Sequence, residues 1–420
     1  MFDRWYAAEL GRKLRKPYVH LLFGARQTGK STLLGSLLPA DALRVDLADP
    51  LERSRHLANP GEFGQLCRAL PSRREPWSVF VDEAQAVPSI FDSVQSLYDS
   101  DRKRWRFVLC GSSARRLRTT GANLLPGRSI LHSLFPLTLA EQPAPLPQGR
   151  QEGSAAAGPP DVRLAWRDGE APLRPFPSWD LRPRLAYGAL PGIVTADEED
   201  RADLLRAYAV IHLEEEIRRE AMVRDWGAFV RFLQLAAAES GGILNFAGIS
   251  KESGISQPTV KAHYQLLEDM FVGIRIPAFV RSPRKNLLST PRFLFFDLGV
   301  RNAAAGLKAS TEVVDASPGP LFEQWVGVEL WKRLQYLGDG KLFHQRSKDG
   351  QEVDFVVERG GTLTPVEVKW TANPSSSDAR HLRTFLDENP RESPRGYLVC
   401  RCPRPLQLEE RITAIPWWGL

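Results

Sequence analysis

The sequence predicts an α/β protein of several domains, the first of them built on a mostly parallel sheet. Its 420 residues exceed what one hydrophobic core usually organises. Over the first 140 residues, short apolar runs rich in β-branched and aromatic residues alternate with amphipathic stretches, which is the rhythm of β-α units. Beyond residue 140 the composition and the spacing of apolar residues change at several points. These changes divide the chain into predicted units at residues 1–140, 141–185, 186–240, 241–305 and 306–420.

The composition narrows the class of protein. With 43% hydrophobic and 25% charged residues, the chain is typical of globular proteins, which excludes wholesale disorder, collagen and coiled coil. A net charge of +6 permits a polyanionic partner without requiring one. No long uncharged apolar window and no signal-peptide order are present, so we expect a cytoplasmic protein without a membrane partner. A reducing compartment fits the few, scattered cysteines, Cys67, Cys110, Cys400 and Cys402.

Five strands are predicted in the first unit, at residues 18–23, 43–47, 79–81, 107–110 and 130–135. A glycine-rich motif follows the first of them, and a helix opens at Thr32 directly after it. In such a loop, glycines let several backbone N–H groups face phosphate oxygens, Lys30 reaches the β- and γ-phosphates, and Ser31 helps to hold Mg²⁺. The motif GxxxxGK[ST], which predicts an ATP site, is matched by Gly24, Ala25, Arg26, Gln27, Thr28, Gly29, Lys30 and Ser31.

Two carboxylates end the third predicted strand. In this arrangement Asp82 organises the Mg²⁺ shell and Glu83 polarises the attacking water. Alone the pair is weak evidence, but together with the loop before Lys30 it strongly indicates ATP hydrolysis. The fourth strand ends in Gly111, followed by Ser112 and Ser113. Those serines sense the γ-phosphate or position water, or alternatively they serve a strand-to-loop turn for backbone reasons.

These segments resemble the AAA-type P-loop ATPases of prokaryotes that carry a second, poorly characterised C-terminal domain. The resemblance covers about residues 15–140 and is carried by Gly24, Arg26, Gln27, Gly29, Lys30, Asp82, Glu83, Gln85, Gly111, Ser112, Ser113, Gly127 and Arg128. It implies that Arg128 neutralises charge on the transferring phosphate of a neighbouring subunit, so that turnover requires a homo-oligomer with AAA-type interfaces. The alternative is an ordinary solvated arginine.

Residues 142–185 interrupt the globular pattern. They hold nine Pro and four Gly without a sustained apolar period, which indicates a linker or a poorly ordered insertion. From residue 201 to about residue 238 the apolar residues recur at helical spacing, ahead of and beyond an acidic patch at residues 214–216.

A winged helix-turn-helix is predicted at residues 241–305. A helix before Gly254 and a second helix capped by Ser256 leave polar side chains on or near the exposed face, namely Gln257, Thr259, Lys261 and His263. Two strand-like runs enclose a basic wing suited to phosphates, with Arg281, Arg284 and Lys285. Two interpretations remain open here: docking on DNA, or a small packing module that links larger domains.

A restriction-endonuclease-like domain is predicted at residues 306–420. Glu367 and Lys369 share one face of a strand, and Asp354 lies on the preceding strand of a hairpin. This is the spacing in which two carboxylates hold a divalent metal and the lysine lies near the attacking water or the phosphate. Glu323, on a predicted amphipathic helix, matches the further acidic residue of such folds. The alternatives are a nucleic-acid-binding relic and a purely structural surface pair.

Two functional hypotheses follow. In the first, ATP binding and hydrolysis drive or gate a C-terminal half that remodels or cuts DNA, with ATP and Mg²⁺ at the first site and a second Mg²⁺ or Mn²⁺ at the nuclease-like site. In the second, the protein is a nucleotide-dependent regulatory switch whose C-terminal half binds a protein partner and whose nuclease-like domain is inactive. The 142–185 insertion and the modest net charge motivate the second hypothesis.

Overall fold

The computed structural model describes residues 2–113, 125–142, 181–213, 217–218, 223, 225–280, 290–346 and 351–420. Most of the predicted 141–185 insertion, the acidic patch at 214–216, and the predicted wing residues Arg281, Arg284 and Lys285 lie outside this part. The chain forms two compact units. The first contains Asp3–Pro136 and Leu266–Val272, and the second contains Leu137–Gln265 and Gly273–Leu420.

A five-stranded parallel sheet organises the first unit, as predicted. Its strand order is β2-β3-β4-β1-β5, with β1 (Val19–Phe23), β2 (Leu43–Asp46), β3 (Trp77–Asp82), β4 (Trp105–Gly111) and β5 (Ser129–Ser133). The helices are α1 (Ala7–Leu14), α2 (Lys30–Leu37), α3 (Pro50–Ala58), α4 (Glu62–Ala69) and α5 (Ser89–Ser100), with a 3₁₀ turn at Ala84–Ala86. Alternate residues of the central strands pack with α5 in a buried hydrophobic core.

Strand register decides where polar residues meet. Phe23 at the end of β1 pairs with Gly111 at the end of β4, and Val81 of β3 pairs with Leu109 of the same β4. The residues that follow these three strands therefore meet at one edge of the sheet.

A buried chain of imidazoles lies between β1 and β5. The Tyr6 hydroxyl lies 2.8 Å from Nδ1 of His132, Nε2 of His132 lies 3.0 Å from Nδ1 of His20, and Nε2 of His20 lies 3.2 Å from the carbonyl oxygen of Lys16. A carbonyl only accepts, so His20 donates to Lys16, accepts from His132, and His132 in turn accepts from Tyr6. Both imidazoles are neutral in this network, and burial lowers the pKa of His132 to about 3 and lowers that of His20.

We expect this pair to destabilise the protein in acid. Because both folded pKa values lie below the unfolded value of 6.5, the unfolded chain binds the extra protons. Above pH 6.5 the two histidines therefore cost the folded protein no stability. As the pH falls below that value, the free energy of unfolding decreases by about 1.4 kcal/mol per pH unit for each imidazole. Urea unfolding of a His20→Gln/His132→Gln variant should lose less stability between about pH 7.5 and 5 than wild type, with His381→Gln as control. Equal losses in all three would contradict the network.

The second unit begins with helices and continues into a mixed sheet. The helices are α6 (Leu181–Tyr187), α7 (Pro191–Thr195), α8 (Glu198–Ala207), α9 (Trp226–Ala238), α10 (Phe246–Ser253), α11 (Gln257–Asp269), α12 (Leu298–Ala304), α13 (Thr311–Ala316), α14 (Pro318–Leu337) and α15 (Arg380–Glu388). The last four residues of α11 are counted with the first unit. A π-helical stretch, Tyr208–Leu213, follows α8, and 3₁₀ turns lie at Leu139–Glu141 and Trp417–Gly419. Within the described part of the chain, no helix combines the length and the apolar character needed to cross a bilayer.

Two sheets belong to the second unit. The smaller pairs β6 (Gly273–Ile276) with β7 (Arg292–Phe295) in antiparallel fashion. The larger has the order β12-β13-β11-β10-β9-β8, formed by β8 (Lys341–Arg346), β9 (Glu352–Arg359), β10 (Thr362–Val368), β11 (Gly396–Cys400), β12 (Leu406–Glu409) and β13 (Ile412–Pro416). The β9–β10 hairpin turns at Gly360 and Gly361, as predicted, and both glycines have positive φ.

The helix predicted as amphipathic around Glu323 is instead buried on nearly every side. Helix α14 contacts β7, β8 and β10 as well as α6, α12 and α13. Its polar residues must therefore find partners inside the unit. Glu329 accepts hydrogen bonds from Arg333 and from the backbone N–H of Leu139, while Lys332 donates to the carbonyl of Leu137 at 2.7 Å. Burial alone would raise the pKa of Glu329, but the two cations outweigh it and hold that pKa at about 2.

Replacing Glu329 by Gln should lower the free energy of unfolding by about 3–5 kcal/mol, because two buried cations lose their counter-charge. Denaturant unfolding of Glu329→Gln measures the loss, and Glu312→Gln, at the exposed start of α13, is the matched control. A loss no larger than that of the control would show that the ion cluster contributes nothing net.

Candidate functional site

The glycine-rich loop between β1 and α2 has the backbone that its motif predicts. Gln27 and Gly29 have φ angles of 61° and 90°. A Cβ on Gly24 would lie 2.1 Å from the carbonyl oxygen of Leu134, so only glycine fits there. The ammonium of Lys30 donates to the carbonyl oxygens of Gly24 and Ala25, both at 2.9 Å. The loop is thus curled around the Lys30 ammonium, which lies where a phosphate chain would need a cation.

Arg4, which lies outside the GxxxxGK[ST] motif, stabilises the glycine-rich loop by hydrogen bonds. Its guanidinium donates to the carbonyl oxygens of Thr28 and Phe135, each at 2.6 Å, and the Thr28 hydroxyl donates to Ala25 at 3.0 Å. These contacts fix the loop against the end of β5. The sequence offers no signal for Arg4, because one arginine near the start of an arginine-rich chain carries no spacing that marks it.

The two predicted Mg²⁺ ligands of the nucleotide site meet directly. Ser31 Oγ donates to Asp82 Oδ2 at 2.5 Å, across the gap between α2 and the end of β3. Hydroxyl and carboxylate oxygens are the ligands that Mg²⁺ takes from a protein when it is also bound to phosphates. The residues present therefore fit an ATP-bound Mg²⁺.

Glu83 lies in a polar cluster at the same edge of the sheet. Its backbone is left-handed, with φ 50°. Its carboxylate accepts from the Gln85 amide and from the Ser112 hydroxyl, the latter at 3.3 Å. Gln85 also donates to Ser112 at 3.2 Å. The structure thereby brings Glu83 and Ser112 together and adds Gln85, whereas Ser113 is fully buried behind them.

Gly111 serves this cluster through its backbone. A Cβ at that position would lie 2.2 Å from Oε1 of Gln85. The glycine is therefore needed for the close approach of Gln85 to β4. This geometry is consistent with both interpretations of the loop after β4. The hydrogen bond from Ser112 to Glu83 fits a role near the γ-phosphate or the attacking water, and the tight packing of Gly111 against Gln85 fits a strand-to-loop turn.

Arg128 lies far from the nucleotide loop of its own unit. Its carbonyl accepts from the N–H of Val19, at the opposite end of β1 from Gly24, and its guanidinium donates to Asp99 at 2.7 Å. That hydrogen bond lowers the pKa of Asp99. Val19 and Phe23 are four residue steps apart, which is about 13 Å along the strand. A role for Arg128 at the ATP of a second copy stays a prediction and requires it to leave Asp99.

The predicted carboxylates and lysine of the C-terminal domain come together. Register across β9 and β10 pairs Phe355 with Val366, so the next pair places Asp354 opposite Glu367 on one face. Asp354 Oδ2 accepts from the backbone N–H of Val368 at 2.8 Å, and Lys369 donates to Glu367 Oε1 at 2.6 Å. The other oxygen, Glu367 Oε2, is buried without a hydrogen-bond partner.

Electrostatics at this site favour a further positive charge. Burial, and then the neighbouring Glu367, raise the pKa of Asp354, and burial raises the pKa of Glu367. Burial opposes charge on Lys369, yet the Glu367 carboxylate outweighs it and raises that pKa. The two carboxylates thus repel one another, and the positive charges that offset this repulsion are the buried Arg292 guanidinium and the half-exposed Lys369 ammonium.

Glu323 of α14 lies near these groups but is already paired. Arg292 of β7 forms ion pairs with Glu323 and with Glu352, and also donates to the backbone carbonyl of Asp354 at 3.4 Å. Burial, and then Asp354, raise the pKa of Glu323 to about 7. Sequence reasoning missed Arg292, which lies in a strand far from the E-x-K motif.

The donor set fits a divalent cation only in part. Over the described ranges, no group of three or more His, Cys, Asp or Glu side chains is arranged to hold a metal ion. Two carboxylates are adjacent, however, and the buried, unpartnered Glu367 Oε2 is the kind of atom that a metal would satisfy. Asp354 and Glu367 therefore fit such an ion, and Glu323 would join them only without its guanidinium partner.

The predicted helix-turn-helix elements form as α10 and α11. Gly254 between them is left-handed with φ 76°, and the Thr259 N–H donates to Ser256 Oγ at 3.4 Å. Gln257, Thr259 and Lys261 are exposed. His263 is only partly exposed, because its ring packs 4.9 Å from that of Phe229, an aromatic residue of α9. Its role as a nucleic-acid contact stays a prediction.

Three families of known domains match successive parts of the chain. Residues 16–142 match the AAA domain family, residues 178–311 match a domain of unknown function, DUF8612, and residues 318–420 match another, DUF4143. The chain thus carries an N-terminal AAA-type domain, a class that binds and hydrolyses ATP, followed by two domains of unknown function.

Similar proteins share most of the chain. An uncharacterized protein of Mycobacterium tuberculosis is 25% identical over 383 residues, which cover 90% of this chain and 76% of that protein. An uncharacterized protein of Haemophilus influenzae is 22% identical over 388 residues, covering 88% and 87%. The solved structure of protein VC1899 from Vibrio cholerae aligns with 98% of this chain and 90% of its own, at 11% identity and a TM-score of 0.19, too low to support an argument.

Proposed function

We propose that this protein uses ATP hydrolysis by its first unit to drive or gate metal-dependent action on DNA by its C-terminal half. The observation that supports the DNA-directed step is the convergence of Asp354, Glu367 and Lys369, with a buried carboxylate oxygen left unpartnered. The choice of ATP as the hydrolysed nucleotide is supported by the match to the AAA domain family and by the positions of Ser31, Asp82 and Glu83.

At the nucleotide site, each residue has a distinct task. Bound Mg²⁺ would neutralise phosphate charge. Lys30 would exchange its two carbonyl acceptors for phosphate oxygens, and Ser31 and Asp82 would separate to hold the ion. Glu83 accepts the proton of the attacking water, while Gln85 and Ser112 hold the Glu83 carboxylate in place.

At the second site, a bound divalent cation would supply Lewis acidity toward a phosphodiester. Asp354 and Glu367 would hold it, and the Val368 N–H fixes the orientation of the Asp354 carboxylate. Lys369 is half-exposed and already charged, so it orients a water or a phosphate oxygen at the mouth of the site. The residues that would contact duplex DNA are the exposed Gln257, Thr259 and Lys261 of α11. The predicted wing residues Arg281, Arg284 and Lys285 would contact its phosphates.

The experiment measures ATP turnover with and without duplex, single-stranded and branched DNA, and DNA cleavage in Mg²⁺ or Mn²⁺. DNA should accelerate turnover, and Lys369→Ala should abolish cleavage while Lys341→Ala, an exposed lysine of β8, leaves it unchanged. Absence of DNA binding at low salt together with unstimulated turnover would refute the proposal.

Lys30→Ala should weaken ATP binding by about thirtyfold or more, because a buried ammonium facing the phosphates is worth about 2–5 kcal/mol. Titration with a fluorescent ATP analogue measures this loss. Lys103→Ala, an exposed lysine of the same unit, is the matched control. Equal affinities of the two variants would contradict the assigned position of the phosphates.

One observation favours the regulatory switch as a second candidate. Arg292 neutralises Glu323, as expected of a site that no longer takes a full metal set. In that case a stoichiometric protein partner should co-purify with the wild type and be lost with Lys30→Ala. Tight, salt-sensitive DNA binding by the full chain without such a partner would remove this candidate.

A further inference from the structure

Arg292 occupies an unusual position for an arginine. It is buried, with only 5% of its side chain exposed, and its two terminal nitrogens divide between Glu323 and Glu352. Arginine suits this bridging because its planar fork presents two parallel N–H donors, which a lysine ammonium cannot. The guanidinium therefore holds two carboxylates that come from different elements, α14 and β9.

The same Glu323 is the residue that a metal at Asp354 and Glu367 would need as a further ligand. A carboxylate held by a buried guanidinium is poorly available to a cation, since both compete for its charge and lone pairs. Yet the unpartnered Glu367 Oε2 shows that the arginine does not satisfy the whole site. Arg292 thus occupies the Glu323 carboxylate and leaves Glu367 Oε2 without a partner.

We propose that Arg292 is a built-in competitor for the metal site, which keeps Glu323 out of the coordination shell until the guanidinium moves away. This inference rests on the proposed metal-dependent function of Asp354 and Glu367. In it, Arg292 is a positioning residue that sets the affinity for a divalent cation and the number of carboxylates that bind it. The ligand class is a hard divalent cation such as Mn²⁺ or Mg²⁺.

A double-mutant cycle on the full chain tests this, with Mn²⁺ binding measured by calorimetry. Arg292→Gln should bind Mn²⁺ about tenfold more tightly than wild type. Glu323→Gln alone should change the affinity little, because Arg292 already withholds that carboxylate. In the Arg292→Gln/Glu323→Gln variant the gain should disappear.

A matched charge control separates ligand release from a general field effect. Arg346 lies opposite Glu352 across β8 and β9, is exposed, and makes no ion pair with Glu323 in the structure. Arg346→Gln removes the same charge close to the site and should leave Mn²⁺ affinity unchanged. Should Arg292→Gln fail to fold, Arg292→Lys keeps the charge without the fork and should show part of the gain, again dependent on Glu323.

The outcomes are distinguishable. A gain that survives Glu323→Gln, or that Arg346→Gln reproduces, would overturn the competitor role. Wild-type Mn²⁺ binding that depends on Glu367 but is unaltered in Arg292→Gln or Arg292→Lys would overturn it too, while the proposed function stands. Absence of Mn²⁺ binding in every variant would overturn both.

Discussion

Glu83→Gln should bind ATP as wild type does and hydrolyse it about 10²–10⁴-fold more slowly, the range that a positioned general base contributes. The amide has the shape of the carboxylate and can still accept from Gln85 and Ser112, so the polar cluster persists. It cannot take a proton from water. The substitution touches neither Lys30 nor the Ser31–Asp82 contact that would hold the nucleotide and its Mg²⁺.

Single-turnover hydrolysis and analogue titration on the same preparations separate the two effects. Glu52→Gln, at a partly exposed glutamate of α3, is the control and should leave both quantities unchanged. Unaltered turnover in Glu83→Gln would contradict the role of this carboxylate. Lost binding would instead mean that Glu83 supports the loop rather than the chemistry.

The nucleotide site was predictable because its information is local. The residues between Gly24 and Ser31 are consecutive, and Asp82 follows an uninterrupted buried strand, so a parallel sheet necessarily brings the two segments to one edge. The β9–β10 pair follows the same logic, since a tight Gly360–Gly361 turn fixes which residues face each other.

Long-range partners were not predictable. Arg4 reaches Phe135 across 131 positions, and Arg292 reaches Glu323 and Glu352 from a different sheet. No periodicity relates such residues, because their proximity depends on how separate elements pack. The partial burial of His263 was not predictable for a related reason. Its place on α11 was inferred from spacing alone, whereas the aromatic face of α9 determines which side of that helix is covered.

Asp297 serves the packing of the second unit. Its carboxylate caps α12 by accepting from the Val300 N–H, and it also accepts from the N–H of Ala189 at 2.7 Å. A Cβ on Gly188 would lie 2.1 Å from the Asp297 carboxylate. Asp297 therefore joins α12 to the residues that follow α6, and its carboxylate takes part in neither candidate site.

Glu367→Gln should have opposite effects on the metal-free and the metal-bound protein. In the metal-free protein it removes one of two adjacent carboxylates that burial and mutual repulsion disfavour, while the amide oxygen still accepts from Lys369. We expect a gain of about 1 kcal/mol in the free energy of unfolding, the trade of stability for function seen at strained sites. With the carboxylate gone, Mn²⁺ loses the ligand that Glu367 Oε2 offers.

Thermal unfolding with and without Mn²⁺ measures both effects on one sample. Wild type should be stabilised by about 2.7 kcal/mol at a Mn²⁺ concentration one hundred times its Kd, and Glu367→Gln by far less. Glu358→Gln, at the far end of β9, is the control. It should be stabilised by Mn²⁺ as much as wild type if the ion binds at Asp354 and Glu367. Equal Mn²⁺ stabilisation of Glu367→Gln and wild type would mean that the ion binds elsewhere, because loss of a direct ligand cannot leave a metal's binding free energy unchanged.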